Sequence, residues 1–212
     1  MEKVFLRRRP KMSRRIITIS REYASGGSQI GKMLSERLGI PCYDREIIGK
    51  VAAESGLCEK FIEDKGEYGN KVAIETYFAT GMYYNGPSVE DSIWAIQHQI
   101  IEELAEKEPC IIVGRCADYI LSTSDQIDNK DLLNVFIYAD IDAKLKRIEE
   151  IYKETESCAK KTIIQIDKRR ANHYNTFTEN IWGDRKNYDM MINSTTAGIE
   201  ATAKWIVELA KA

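Results

Sequence analysis

The chain has 212 residues, with 31 Lys+Arg against 33 Asp+Glu and a net charge of -2. That is enough for one large domain with a real core, and it offers no global basic field for binding a nucleic-acid polymer. No apolar run approaches a membrane span, and five cysteines (Cys42, Cys58, Cys110, Cys116, Cys158) at no metal-ligand spacing read as reduced thiols.

The start, MEKVFLRRRPKMSRR, lacks the apolar core of a secretory signal. Residues 1–15 are expected to form a basic tail ahead of a single domain at 16–212, in a cytoplasmic protein. Ile16–Ser20 is an apolar β-branched run and predicts the first strand. It breaks into the loop SREYASGGS, Ser20–Ser28, which opens into a helical pattern with Ile30, Met33, Leu34 and Leu38 on one face and Gly39 as C-cap. The helix is expected to start near Ser28, with Ser25 as a candidate cap.

The letters from Gly26 to Lys32 also match G-x-x-x-x-G-K, with Met33 where Ser or Thr belongs. In that motif the lysine stands at the helix start. Here Lys32 falls more than a turn inside, away from the apolar face, and reads as a solvated lysine. The expected site is therefore the helix N-terminus itself, where backbone N-H groups bind anions without a particular side chain. Gly26 and Gly27 permit close approach, and Arg21 supplies positive charge.

Further along, strands are predicted at Ile40–Tyr43, Cys110–Val113, Leu132–Tyr138 and Tyr188–Ile192. Helices are predicted over Arg45–Glu54, Val89–Lys107, Ile141–Tyr152, about 156–177, and Ile199–Ala210. Alternation of this kind predicts an α/β protein with a mainly parallel five-stranded sheet. The first strand is expected at its centre, and the Ser20–Ser28 loop at its C-terminal edge. Two stretches do not alternate. The segment at about 56–88 mixes aromatic and turn residues, and the segment at about 153–187 crowds basic, amide and aromatic residues together.

Lys168, Arg169 and Arg170 follow Ile163, Ile164 and Ile166, so the basic cluster is expected to project from a helix. Arginine suits phosphates because its planar guanidinium makes paired hydrogen bonds while staying charged. Asp44 and Arg45 lie just beyond the second strand and Arg115 just beyond the third, at the edge where open α/β sheets bind ligands. His98 and His173 are too isolated for a zinc site.

Taken together, SREYASGGSQIGKMLSERLG, CYDREIIGKVAAESGL, IIVGRCADYIL, VFIYADIDAKLKRI, DKRRANHYN and WGDRKNYDMMINSTTAGIE resemble the cytidylate-kinase-like family of P-loop nucleoside monophosphate kinases, from Ile16 to the C-terminus. The resemblance implies a three-layer kinase fold with a monophosphate-binding insertion and an arginine-rich lid, matching the two irregular stretches. It implies ATP and Mg2+ as cofactors and a nucleotide acceptor, CMP or dCMP. Ser25, Gly26, Gly27 and Ser28, with Arg21, would cradle the donor phosphates. Ser28 would help hold the metal. Asp44, Arg45 and Arg115 would meet the acceptor, and Arg115, Arg169 and Arg170 would act on the transferred group.

Departures accompany the resemblance. The family's loop lysine falls on Gly27, the acidic residue expected before the Gly-Arg pair is Val113, and the Asp of its Gly-Arg-Asp motif is Cys116. Two rival readings follow: a nucleotide or phosphometabolite sensor with a degenerate loop, and a kinase for another small acceptor. An assembly of identical copies is compatible with the sequence.

Overall fold

The structure, a computed structural model, describes residues 13–56, 59, 89–152 and 156–212. Five strands form one parallel sheet: β1 (Ile16–Arg21), β2 (Cys42–Tyr43), β3 (Cys110–Val113), β4 (Leu132–Tyr138) and β5 (Met190–Asn193), in the order β2-β3-β1-β4-β5. The first strand is central, as expected. Its register sets Ile17 beside Ile111 and Leu133, so apolar side chains on adjacent strands stack in rows across each face.

One face is covered by α1 (Gly27–Leu38) and α8 (Ile199–Lys211), which bury Ile30, Leu34, Leu38, Ala203 and Ile206 against Ile17, Ile19, Ile111 and Val135. The other is covered by α2 (Glu46–Ser55), α3 (Val89–Lys107) and the short α4 (Ala117–Ser122), through Ile47, Val51, Ile101 and Ile120. Between β4 and β5 the chain forms α5 (Ile141–Tyr152) and α6 (Glu156–Phe177), and β5 runs straight into α7 (Ser194–Ala197). A small cluster of Ile148, Ala159 and Ile163 packs α5 and α6 onto Tyr23 and Ala24 of the first loop.

Several boundaries differ from expectation. β2 is reduced to two residues, and β5 begins two residues late because Asp189 N-H donates to Asn134 O from outside the ladder. Helix α4 and the one-turn α7 escape periodicity, being too short to show it. At the start of the described residues, Ser13 and Arg14 N-H both donate to Ala210 O, and Arg14 Nη1 donates to Leu132 O at 2.6 Å. Residues 1–12, and nearly all of the expected insertion at 56–88, lie outside the described residues.

A polar network interrupts the second face. Ser20 and Tyr174 hydroxyls donate to the carboxylate of Asp118, at 3.3 and 2.8 Å. Burial pushes the Asp118 carboxyl up to about 6, with the Tyr174 and Ser20 hydrogen bonds pulling the other way. Because the folded chain holds this proton more tightly than the unfolded chain, Asp118 contributes most below pH 4, and that contribution is lost as pH rises through 6. Asp118→Asn is therefore expected to be about 3 kcal/mol more stable than the parent at pH 7.5, with the gap closing toward pH 4. Urea denaturation at the two pH values checks this, and an equal gap at both contradicts it.

Candidate phosphate site

At the C-terminal edge of the sheet, the segment from Arg21 to Ser28 borders a cavity of about 720 Å3. Of the residues expected here, Arg21, Gly26, Gly27, Ser28, Asp44, Arg45 and Arg170 line it together. Helix α1 starts at Gly27, one residue early, with Gly26 as N-cap in the left-handed conformation at φ 91°. The first-turn N-H groups of α1 are the donors that an anion would meet there.

Ser25 does not cap the helix. Its hydroxyl turns inward, donating to Glu22 O at 2.8 Å, and its carbonyl accepts from Ser194 Oγ at 2.7 Å. It is fully buried beneath the loop, since glycine at Gly26 already supplies a cap that needs no side chain. Ser28, by contrast, is exposed on the cavity side.

Gly27, the position where the family resemblance places a lysine, lies against Arg21. A Cβ at this position would lie 2.7 Å from Arg21 Cβ and 2.8 Å from Arg21 Cγ. Arg21 is 4% exposed, so its stem fills the space beside Gly27, and its guanidinium stands 3.7 Å from the Asp44 carboxylate. A buried cation from the end of β1 thus sits where the loop offers none.

Five further contacts hold the loop from α5 and α6. Lys144 of α5, only 5% exposed, bridges Glu22 at 2.6 Å and Asp167 of α6 at 3.1 Å. Asp167 also accepts from Tyr23 N-H at 2.6 Å. Arg147 donates to Ala24 O, and Arg170 Nη1 donates to Arg21 O at 3.0 Å, with its guanidinium 6.0 Å above the Tyr23 ring. Burial lowers the Arg147 pKa, partly offset by Glu150.

Lys32 requires a correction. It is exposed and off the apolar face, as expected, but the same rotation turns it onto the cavity wall one turn above Ser28. Arg170 requires another: it is 5% exposed and belongs to the buried face Ile163, Asp167, Arg170, Tyr174, whereas Ile164 is 65% exposed. Arg169 is half-buried and outside the cavity lining. Arg115 is also outside it, 1% exposed, in a turn where Gly114, Arg115 and Cys116 all have positive φ. Gln97 Nε2 supports that turn by donating to Arg115 O at 3.1 Å. Val113 is a core residue at 0% exposure.

The lining holds five cationic side chains, Arg21, Lys32, Arg45, Arg147 and Arg170, against Glu22, Asp44 and Glu150. Glu22 is already engaged by Lys144. A helix N-terminus, two glycines and this cation excess suit a ligand with several phosphate charges. Cys42 nearby offers no thiolate, because burial, with Asp44 and Glu46, pushes it up to about 12. The histidines join an aromatic cluster in which His173 lies 4.9 Å from Phe177, and Trp94 stacks on Phe177 at 5.1 Å. No metal-binding group of three His, Cys, Asp or Glu exists among the described residues.

The model of the cytidylate kinase-like family matches residues 16–196. The chain belongs to that family. A curated shikimate kinase of Bartonella quintana is 24% identical over 137 residues, which is 65% of this chain. The chain spans only 54% of that relative's length. Among solved structures, an uncharacterized protein of Eubacterium ventriosum is 28% identical with a TM-score of 0.68, covering 92% of this chain and 97% of its own. Shikimate kinase of Acinetobacter baumannii, in complex with shikimate, is 13% identical with a TM-score of 0.51, covering 92% and 91%. At that identity it shares the fold alone, a parallel α/β kinase fold. No helix among the described residues is long and apolar enough to cross a membrane.

Sequence reasoning missed Lys144, Arg147 and Asp167. A signal existed for two of them. Lys144 is four residues before Ile148, and Asp167 is four after Ile163, so each is a charge on the buried face of its helix. A charge in such a place needs a partner, and the first loop supplies it.

Proposed function

We propose that this protein transfers the γ-phosphoryl group of ATP to a small acceptor, with a nucleoside monophosphate, CMP or dCMP, as the first candidate. The observation that carries this reading is the glycine loop at the start of α1 facing a cavity lined by five cations against three acids, with Arg21 and Arg170 buried. Phosphoryl transfer asks for alignment, charge neutralisation and exclusion of water, and no covalent intermediate with the protein is required.

In this reading the donor phosphates lie against Gly26, Gly27 and Ser28, with Arg21 in the part normally given to a loop lysine. Arg147 of α5 and Arg170 of α6 approach from the far wall and neutralise charge on the transferred group. Asp44 and Arg45 face the same cavity from the β2 edge and would meet the acceptor. Arg115 and Arg169 remain candidates for acceptor and lid contacts. Mg2+ fits the donor set: an exposed hydroxyl at Ser28 beside the loop, without a protein cage among the described residues, suits an ion carried mainly by phosphates. Bound there, it would supply charge neutralisation on the phosphate oxygens.

The shikimate kinase relative supports a second acceptor class, a small hydroxy acid, and the replaced loop lysine supports a third reading, a sensor that binds without turnover. A coupled ATP-consumption assay across nucleoside monophosphates and hydroxy acids, with nucleotide binding by calorimetry in parallel, separates the three. Turnover with a monophosphate upholds the proposal. Binding without turnover on any acceptor overturns it in favour of the sensor.

Lys32 now enters the same test. An exposed lysine on the cavity wall adds a screened attraction, so Lys32→Ala is expected to weaken ATP binding about threefold to tenfold at low salt, and less at 0.5 M salt. An unchanged affinity at low salt would return Lys32 to the solvated surface.

A further inference from the structure

The sheet face turned away from α1 borders a second cavity, of about 630 Å3, enclosed by α4, the start of β4 and the segment 178–189. It shares no lining residue with the phosphate cavity. Parallel strands covered on both sides normally read as apolar throughout. Here Thr18, Ser20 and Asn134 break that rule on one face, with Thr18 Oγ1 donating to Asn134 Oδ1 at 2.6 Å. Thr18 and Ser20 are 1% and 5% exposed, so the polar groups lie deep in the molecule.

Asp118 forms the floor of this cavity at 1% exposure. Its carboxylate accepts from Ser20 and Tyr174, both neutral, and no described lysine or arginine pairs with it. A buried carboxylate without a cation is costly, and an asparagine could make comparable hydrogen bonds without a buried charge. The lining as a whole has Lys186 as its one cation against Asp118, Glu179, Asp184 and Asp189. Such a wall repels phosphates, so it is no second nucleotide pocket. Its volume falls in the range of small-molecule sites.

We propose that this cavity binds a small polar molecule carrying a protonated amine and several hydroxyl groups, with the ammonium directed to Asp118 and the hydroxyls to the neighbouring side-chain amides, Asn134 and Asn180 among them. The ammonium would replace the missing counter-charge of a group the fold has already removed from water. The amides, which donate and accept at once, suit hydroxyls better than they suit an apolar or anionic partner.

The test is calorimetric titration of the full chain at pH 7.5 with glucosamine, galactosamine and mannosamine, each beside its neutral parent sugar. At least one amino sugar is expected to bind at millimolar Kd or better and at least tenfold tighter than its neutral counterpart. Asp118→Asn, which retains hydrogen-bonding capacity and folds without the buried charge, should lower that affinity at least tenfold. Glu179→Gln, an exposed change at the rim, should lower it by about twofold to fourfold. Amino sugars that bind no better than neutral sugars, or binding that survives Asp118→Asn, would overturn the proposal. An ATP titration on the same samples reports separately on the phosphate loop, so the two readings fail independently.

Discussion

Gly27→Val is expected to abolish ATP binding, with a loss of at least a hundredfold in affinity. The new Cβ would fall within 2.8 Å of both Cβ and Cγ of Arg21. These atoms sit at the root of the side chain and cannot swing aside as a flexible tip would. Either β1 and α1 separate, which disrupts the face carrying Ile19 and Ile30, or the arginine stem is driven out of place. Overpacking of this kind costs about 1–3 kcal/mol of stability, so the fold is expected to survive while the site does not. A companion variant separates sterics from charge. In Gly27→Ala with Arg21→Ala the clash with Cγ is gone but the 2.7 Å approach to Cβ stays, so the melting temperature should recover only in part relative to Gly27→Ala alone. Affinity should stay low, because the buried cation beside the loop is gone. If the double variant binds ATP as tightly as the parent, Arg21 has no part in holding phosphate, and the reading of a displaced loop cation fails.

The same pair of residues marks how far the sequence could be read. The apolar β-branched run of β1 and the 3.6-residue period of α1 are legible because β1 is buried along its whole length and α1 buries one continuous stripe, and together they put the loop at the sheet edge. Gly27 stood out as a departure from a motif, but its partner did not. Arg21 and Gly27 are six residues apart across a loop in which Ala24 and Gly26 both take positive φ, and no local pattern tells which side chain turns back onto the helix. Ser25 was misjudged for the same reason: a serine ahead of a helix is an ordinary cap, unless a glycine takes the position first.

Helix α4 shows a different limit. Six residues carry too little periodicity to declare a helix, so Asp118 could not be placed, although it lies only two residues beyond the Cys116 that stands where an Asp was expected. The basic helix at α6 is legible in the sequence, but its rotation is not. Three isoleucines at 163, 164 and 166 do not define a face by themselves. The true face is set by contacts far away in sequence, through Asp167 to Tyr23 and Arg170 to Arg21.

That rotation gives Arg169 and Arg170 different fates, where the sequence alone treated them as a pair. Arg170→Ala is expected to lower turnover at least a hundredfold and stability by about 2 kcal/mol. It removes a buried charged donor to Arg21 O, opens a void over Tyr23 and takes one cation from the cavity wall. It also weakens the charge balance at Asp167, which Arg170 and Lys144 both favour in its ionised form against the effect of burial. Arg169→Ala should change stability by no more than about 0.5 kcal/mol, because the side chain is half-buried and outside the cavity lining. Its effect on turnover is expected to be at least tenfold smaller than that of Arg170→Ala. Arg170→Lys is the informative control. It keeps the charge but loses the planar fork that reaches a carbonyl and a phosphate at once, so stability should return further than turnover does. Thermal melts and steady-state kinetics on the three variants check the ordering. Equal losses at 169 and 170 would mean that α6 is rotated in solution relative to its arrangement in this structure, and full turnover in Arg170→Ala would remove that arginine from the proposed chemistry.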